Sequence, residues 1–515
     1  MGATAALERD ACIAFAAADE CYAAMVKFLR SGEARQLTHS QLERQVESQG
    51  RELMRELVQA HVDSRGAGQA LGEVRGADGV VREQVRVHER GLQTIFGEVR
   101  VSRLGYGAPG SQSLHPLDAE LNLPQEFYSL EVRRRAAEEA AKHSFEETVA
   151  SLERQLGTAV GKRQVEEVVG RAAQDFDAFY ARPIHSTPVQ TDPILVISAD
   201  GKGVVMLPRD LREPTRKAAQ KASRRLDKRL TKGEKRHRKR MATVATVYTI
   251  ARHLRTAEEV VHCMAPFHQR DPPPRPRPHN KRVWASLKMT PEELIEEAFR
   301  EALGRDPERD KTWVALVDGN KTQLAILEDL ARKYKVRLTI ILDIMHVAEY
   351  LWGASLAFYC EASKQREAWV AQRLLGILEG RASLVAAGMR RSATLRQLSR
   401  KTRAPVDECA HYLLEYQPYL RYHRYLAKGL PIATGVIEGA CRHLVCDRMD
   451  AGARWSLDGA EAVLHLRALR SSGDFDRYWT YHEDQAYRRN HVAHYADGEV
   501  TPTRHSKAPH LRSVK

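Results

Sequence analysis

Three acids stand where apolar runs stop. Asp200 follows residues 194–199, six apolar or small residues rich in β-branched types, which predict a buried strand delivering a carboxylate at its end. Asp318 follows residues 313–317 in the same way, with Gly319 and Asn320 behind it. Glu438 lies in PIATGVIEGACRHLVCDRM, where Thr434 or Gly435 opens a helix. Gly201 and Gly203 predict a tight turn into a second apolar run at 204–207, leaving Asp200 at the edge of a hairpin. Carboxylates gathered from two strand ends and a helix suit hard, oxygen-seeking cations such as Mg²⁺ or Mn²⁺. Two such ions, about 3.5 to 4 Å apart, activate a water or a 3′-hydroxyl and stabilise the leaving oxygen during attack on a phosphodiester. The expected metal ligands are Asp200, Asp318 and Glu438. A single acid at a strand end is more often a turn or cap residue, so the chemistry depends on all three meeting.

The charge of the chain fits a phosphate polymer. Its 515 residues hold 81 Lys or Arg against 67 Asp or Glu, a net +14 with a pI near 9.4. Most of that excess is local: residues 211–240 carry fourteen Lys or Arg against only Glu213, Asp227 and Glu234. A charge run is usually a solvated helix face, but this one repels itself unless an anion neutralises it. Arg224, Arg225, Lys228, Arg229, Lys235 and Arg236 are the phosphate contacts expected from it. No aromatic residue interleaves the run, so it grips backbone and does not stack bases. Arg442 lies one helical turn beyond Glu438 and is a further phosphate candidate.

The elements that position these residues read as alternating strands and helices. Residues 241–250, 313–317 and 336–342 predict strands, residues 322–333 predict a helix, and the alternation indicates an α/β sheet with function at its strand ends. Asp343 and His346 close the third of these strands. The region 1–88 reads as helical, with a stripe of Leu42, Val46, Leu53, Leu57 and Ala60 and a glycine-rich linker over 64–79. Region 89–185 opens with a small hairpin around Gly97. It then carries two helical faces, Phe145/Val149/Leu152/Leu156 and Val165/Val168/Val169, broken at Gly157. That outline is a helix-turn-helix, with Lys162, Arg163 and Gln164 placed for DNA contact at the start of the second helix. The first part of the core follows at 186–346, with a proline-rich excursion over 266–278. An all-helical insertion occupies 347–430, the core resumes at 431–480 with the helix of Glu438, and 481–515 reads as a polar basic tail, disordered beyond Val500.

Several classes are set aside by what the sequence contains. No apolar run reaches the ~18 residues of a membrane span, so no membrane association is expected. Seven cysteines without a C-x-x-C pair form no disulfide framework, which fits a reducing compartment. Cys441, His443 and Cys446 do not share one helix face and make a poor zinc set. No G-x-x-x-x-G-K-[ST] loop occurs, so no nucleotide cofactor is expected.

Taken as an ordered set, SADGKGVVM, VALVDGN, LDIMHVAEYLW, TGVIEGACRHLVCDRM and GARW, preceded by TIFGEVRVSRLGYG and HPLDAELNLP, resemble bacterial insertion-sequence transposases of the DDE type, most closely the ISKra group. The resemblance covers roughly residues 90 to 480. It implies a ribonuclease-H-like mixed sheet in which acids on the first and fourth strands and on a later helix bind two Mg²⁺ or Mn²⁺ ions, here Asp200, Asp318 and Glu438. It implies double-stranded DNA as partner, both element ends and target, a homo-oligomer, and a cytoplasmic, nucleoid-associated bacterial protein. Asp343 and His346 match the C/D-x-x-H signature of such proteins, with an accessory catalytic role. Asp343 competes with Asp318 for the second ligand position. Asp318 is preferred because its strand matches the fourth of the core and a helix separates it from Asp343. A nuclease that cuts without joining, and a DNA-binding protein without catalysis, are the alternatives.

Overall fold

The computed structural model describes residues 15–182, 192–221, 234–235, 237–264, 275–361, 363–450 and 452–504. Two compact units divide the chain, one formed by Met1–Phe179 with Phe475–Lys515 and the other by Tyr180–Asp474.

In the first unit, helices α1 (Ala16–Leu29) and α2 (His39–Ser64) pack on each other. Thr38 starts α2 with a reciprocal cap, its hydroxyl accepting the Gln41 N–H while the Gln41 side chain accepts the Thr38 N–H. The hairpin is larger than the sequence suggests: β1 (Gln84–Thr94) pairs antiparallel with β2 (Gly97–Gly107) over its whole length. Residues 84–88, expected with the helices, are strand. No side chain of β1 before Leu92 is buried, so that half shows no apolar face to read. Helices α3 (Leu130–Lys142), α4 (Phe145–Leu156) and α5 (Lys162–Ala172) follow. Ser144 and Glu147 cap α4, and Gly157, at φ +67°, ends it in the left-handed conformation that an L side chain resists.

The second unit is an α/β domain around a five-stranded mixed sheet of order β5-β4-β3-β6-β7. Its strands are β3 (Ile194–Val205), β4 (Lys239–Ile250), β5 (His279–Ser286), β6 (Thr312–Val317) and β7 (Leu338–Leu342). β4 runs antiparallel to both β3 and β5, while β6 and β7 run parallel to β3. β3 is central, and residues 194–199 are buried on both faces, which is why they read as a continuous apolar run. The turn expected at Gly201 and Gly203 does not form. β3 runs straight through both glycines and pairs with β4 from Ile194 to Val205. Instead of turning the chain, they admit side chains of β4: a Cβ on Gly203 would sit 3.1 Å from Lys239 Cβ, and one on Gly201 would sit 3.2 Å from Met241 Cε.

β5 has no counterpart in the sequence reading, nor has helix α6 (Pro291–Arg305), which packs on β3 and β4. Both carry recognisable signals. RVWAS supplies an aromatic and a β-branched residue, and Thr290 with Glu293 forms a capping box ahead of Pro291. Helix α7 (Lys321–Lys333) connects β6 to β7. Helices α8 (Ile344–Ser355), α9 (Lys364–Leu378), α10 (Ala382–Leu395) and α11 (Arg400–Glu415) then pack in sequence, with α11 returning onto α8. Among the described residues of 347–430 there is no strand. Helix α12 (Gly435–Ala440) continues into a π-helical turn, Cys441–Cys446, and α13 (Leu457–Ser472) packs on β5.

The expectation of a polar tail from residue 481 does not hold over 481–504, while 505–515 lie outside the described residues. Helix α14 (Phe475–Asn490) buries Tyr478, Trp479 and His482 in the first unit. There Asp175 accepts hydrogen bonds from Arg489 and lies 2.7 Å from His482 Nδ1. Burial pushes the Asp175 carboxyl up, but these two partners outweigh it and hold it below the usual carboxylate range. Order continues past Val500: Thr503 is buried and bridges to Ala70. The helix escapes a reading by composition because its partners are hidden at positions 172–179.

Candidate active site

Three aspartates fall on one row of the sheet. Carrying the registers Ser198↔Leu316 and Val317↔Leu342 one or two residues past the last pair sets Asp200, Asp318 and Asp343 side by side. The row lies at the carboxyl ends of the parallel strands β6 and β7 and beside the point on β3 where its pairing with β6 stops, the usual site side of such a sheet. With strands about 4.8 Å apart, the outer two backbones are about 10 Å from each other. Asp200 is still within β3, paired with Val244 of β4, but the β6 ladder stops at Ser198, so its other edge is open.

The chain from Thr434 to Cys441 spans that row. The Thr434 N–H donates to Asp343 Oδ1 at 3.0 Å, and its hydroxyl donates to Glu438 Oε1 at 2.8 Å. At the other end, Cys441 Sγ donates to Asp200 Oδ2 at 3.2 Å. Seven residues of helix rise about 10 Å, the same length as two strand spacings, so the segment fits the row end to end. The π-helical turn begins at Cys441, where the segment meets Asp200.

Asp343, His346 and Glu438 can turn ligand atoms to within 4.8 Å of one another, and they are the one such group of three among the described residues. Asp343 is fully buried and caps α8, its Oδ2 accepting the His346 N–H. Burial drives its pKa upward, against hydrogen bonds from the Thr434 and Met345 backbone and the nearby His346. A carboxylate costly to ionise on its own is favoured by a cation beside it. His346 is half-buried, with Nδ1 3.2 Å from Glu349 Oε2, and Glu438 is exposed. The donor set, two carboxylates and one imidazole, has the chemistry to hold a divalent cation.

Asp200 and Asp318, expected as ligands beside Glu438, lie outside this group. Asp318 turns into its own loop, where Oδ1 accepts the Asn320 N–H at 2.9 Å. Asp200 faces Cys441 and the Lys202 ammonium, the latter 3.3 Å away. Burial alone would lower the Lys202 pKa; the Asp200 carboxylate more than offsets it and the ammonium is held above its usual value. The carboxylate joined to Glu438 through Thr434 is thus Asp343, the one ranked behind Asp318 on sequence.

Four tyrosines of the helical region hold the backbone behind these acids. Tyr412 and Tyr416 donate to the carbonyls of Asp318 and Gly319 at 3.3 and 2.6 Å, and Tyr422 donates to Leu342 at 2.8 Å. Tyr425 donates to Ile340. Gly319, at φ +99°, makes the turn between Asp318 and α7. Nothing in the sequence ties these tyrosines to the strand ends. Thr434 and Cys441 were visible there only as a helix opener and a poor zinc ligand.

The residues expected to contact nucleic acid divide by unit. Arg224, Arg225, Lys228, Arg229 and Arg236 lie outside the described residues; Lys235 is described and half-buried. Not all of the basic segment is free for phosphate: Arg238 is buried and donates to the Ala219 carbonyl, and Arg240 donates to that of Leu287. Arg442 is exposed, 4.0 Å from Asp447. His443 pairs with Asp447 while Cys441 is buried, so Cys441, His443 and Cys446 do not converge. In the first unit, Lys162, Arg163 and Gln164 form the exposed first turn of α5. Lys162 pairs with Glu146 and Arg163 with Glu167, while the Gln164 carbonyl accepts from the Gly161 N–H and the Tyr128 hydroxyl. Among the described residues no helix is long and apolar enough to cross a membrane.

No protein-family model matches the chain, and no curated protein matches it.

Proposed function

We propose that the chain is a DDE-type DNA transposase, similar to the ISKra group, whose second unit is a ribonuclease-H-like domain that cleaves DNA strands and joins a 3′-hydroxyl to target DNA. The observation that carries this reading is the row of Asp200, Asp318 and Asp343 across β3, β6 and β7, with Glu438 brought over it by the segment that begins at Thr434. The placement agrees with what the resemblance implies. Asp200 is on the first strand of the sheet in chain order, Asp318 ends the fourth, and Glu438 lies on a later helix. A functional cluster of acids on one face also accounts for a buried carboxyl at Asp343, a helix cap that a serine or threonine would fill at less cost.

In this reading Asp343 and Glu438 hold one end of the metal site and Asp200 the other, with Asp318 between them. When bound, Mg²⁺ or Mn²⁺ would activate the attacking hydroxyl and neutralise charge on the leaving oxygen. Thr434 fixes Asp343 and Glu438 against each other through two hydrogen bonds, so their spacing is set before DNA arrives. Lys202 and the exposed Arg442 put positive charge beside the acids for the scissile phosphate and its neighbours. The His346 backbone N–H caps onto Asp343, its ring Nδ1 lies 3.2 Å from Glu349, and one ring nitrogen comes within 4.8 Å of the Asp343 and Glu438 oxygens.

The test is incubation of the full chain with labelled duplex DNA from the borders of its own gene, in Mg²⁺ or Mn²⁺. Joined products longer than the input strand are expected, and they should vanish with Asp200→Asn and with Glu438→Gln. Cutting without joined products would leave a nuclease. DNA binding with no metal-dependent cutting by the unaltered chain would overturn the catalytic reading.

A further inference from the structure

The second unit carries another concentration of charge, away from the acids. Helix α7, the start of edge strand β7 and residues 418–430 enclose a groove of about 820 Å³. Its walls hold Arg332, Lys335, Arg337, Arg421, Arg424 and Lys428, all exposed, against one acid, Glu328. Arg332 pairs with Asp329, but the other five cations have no carboxylate partner within 4.0 Å among the described residues. Glu328 accepts a hydrogen bond from the Tyr419 hydroxyl at 2.6 Å. Surface cations are usually interleaved with acids, and five left without counter-charge around one groove repel one another unless an anion is shared among them.

Two polyanions deserve weighing: an acidic peptide and a nucleic acid. A peptide would most readily add a strand to the free edge of β7. That edge is already engaged, since the carbonyls of Ile340 and Leu342 accept from Tyr425 and Tyr422. The charges instead come from three separate elements and ring the groove, which suits a backbone of evenly spaced phosphates. From Ile340 to Asp343 the strand advances three residues, about 10 Å. A duplex seated in the groove would therefore reach the carboxylates within a few nucleotides.

We propose that this groove is a DNA-binding track, gripping the phosphodiester backbone without regard to sequence. It rests on the reading of the second unit as a DNA-processing domain, and it adds a surface distinct from the basic segment at 211–240. The track holds the DNA flanking the site of cutting and sets its direction of approach to the acids.

The experiment is fluorescence anisotropy of a labelled duplex against the full chain, across a salt series and without divalent metal. The triple variant Arg337→Glu, Arg421→Glu, Arg424→Glu is compared with the unaltered chain and with the three Arg→Lys changes. Loss of three phosphate contacts should flatten the slope of log K against log[salt] by about 3 and weaken binding about 100-fold at 0.15 M salt. The lysine variant should keep the slope. Equal thermal midpoints certify the fold; should the triple variant unfold, Arg337→Gln and Arg424→Gln singly should each lower the slope by about 1. An unchanged slope in folded variants overturns the track, as does groove-dependent binding of poly-glutamate with DNA binding unaffected. Cutting by the unaltered chain is scored separately. A flattened slope without any cutting keeps the track and removes the catalytic reading, while cutting with an unchanged slope does the reverse.

Discussion

Replacing Asp343 by asparagine separates a metal ligand from a helix cap. The two oxygens of Asp343 serve different donors, Oδ1 the Thr434 N–H and Oδ2 the His346 N–H. Asparagine keeps one carbonyl oxygen and turns the other position into a donor, so one of these bonds is lost. Asparagine caps helices as well as aspartate does, and one backbone bond contributes roughly 1 kcal/mol, so the fold should weaken by only about 1 to 2 kcal/mol. Relief of a buried, hard-to-ionise carboxyl offsets part of that. If Asp343 binds metal, the functional loss is far larger. Altering even outer partners of a metal site costs about 10- to 100-fold, so removal of a charged ligand should lower Mn²⁺-dependent nicking by more than about 100-fold, or about 2.7 kcal/mol of barrier. Nicking of a labelled duplex, Mn²⁺ binding followed by its paramagnetic resonance signal, and a urea midpoint would be measured for Asp343→Asn beside Asp318→Asn. The reasoning is refuted if Asp343→Asn keeps unaltered metal affinity and nicking while Asp318→Asn loses both. Asp343 would then be a cap and nothing more.

Other outcomes follow from the same geometry. Tyr416→Phe removes the donor to Gly319 and should cost about 1 kcal/mol of stability. It should lower nicking by about 10-fold through the displaced Asp318 loop, whereas equal nicking would separate that loop from the chemistry. Gly203→Val should destabilise by about 1 to 3 kcal/mol in denaturant titration, because the new Cβ meets Lys239 at 3.1 Å; a neutral result would mean β4 yields there. Burial lowers the pKa of His491 to about 4, against the hydrogen bond to Leu123 and aided by His494 and Arg90. The unfolded ring takes its proton near pH 6.5 and the folded one only near pH 4, so its contribution is complete above pH 6.5 and is lost as pH falls between those values. At pH 5 the loss should be about 2 kcal/mol, read as a falling urea midpoint that His491→Gln flattens.

What the sequence allowed to be read was what a single segment expresses by itself. The run before Asp200 and the one before Asp318 are buried on both faces, and such strands advertise themselves as unbroken apolar stretches. The break at Gly157 was equally plain, because only a left-handed residue ends α4 there. Failures came where a residue's role depends on a distant neighbour. Gly201 and Gly203 have the composition of a turn, yet the side chains they accommodate belong to Met241 and Lys239. The first half of β1 buries nothing, so it lacked any periodic face. The pairing of Asp343 with Glu438 runs through a backbone N–H and a hydroxyl of Thr434, two bonds that no spacing rule announces. Preference for Asp318 rests on strand order and on the helix that separates it from Asp343, and neither says which way a carboxylate turns.

The course of the chain makes one unit a parenthesis within the other. The polypeptide leaves the first unit at Phe179 and re-enters it at Phe475. Within the enclosed unit the Tyr180 hydroxyl meets Asp474 Oδ2 at 2.9 Å, so the opening and closing brackets touch. A segment whose ends adjoin is the kind that tolerates being lifted out or stitched into a host, since no stretch of backbone must cross its surface to join them. The converse holds for the enclosing unit. A truncation after residue 474 strips away the residues that pair with Asp175, and its damage would fall on the opposite terminus of the polypeptide.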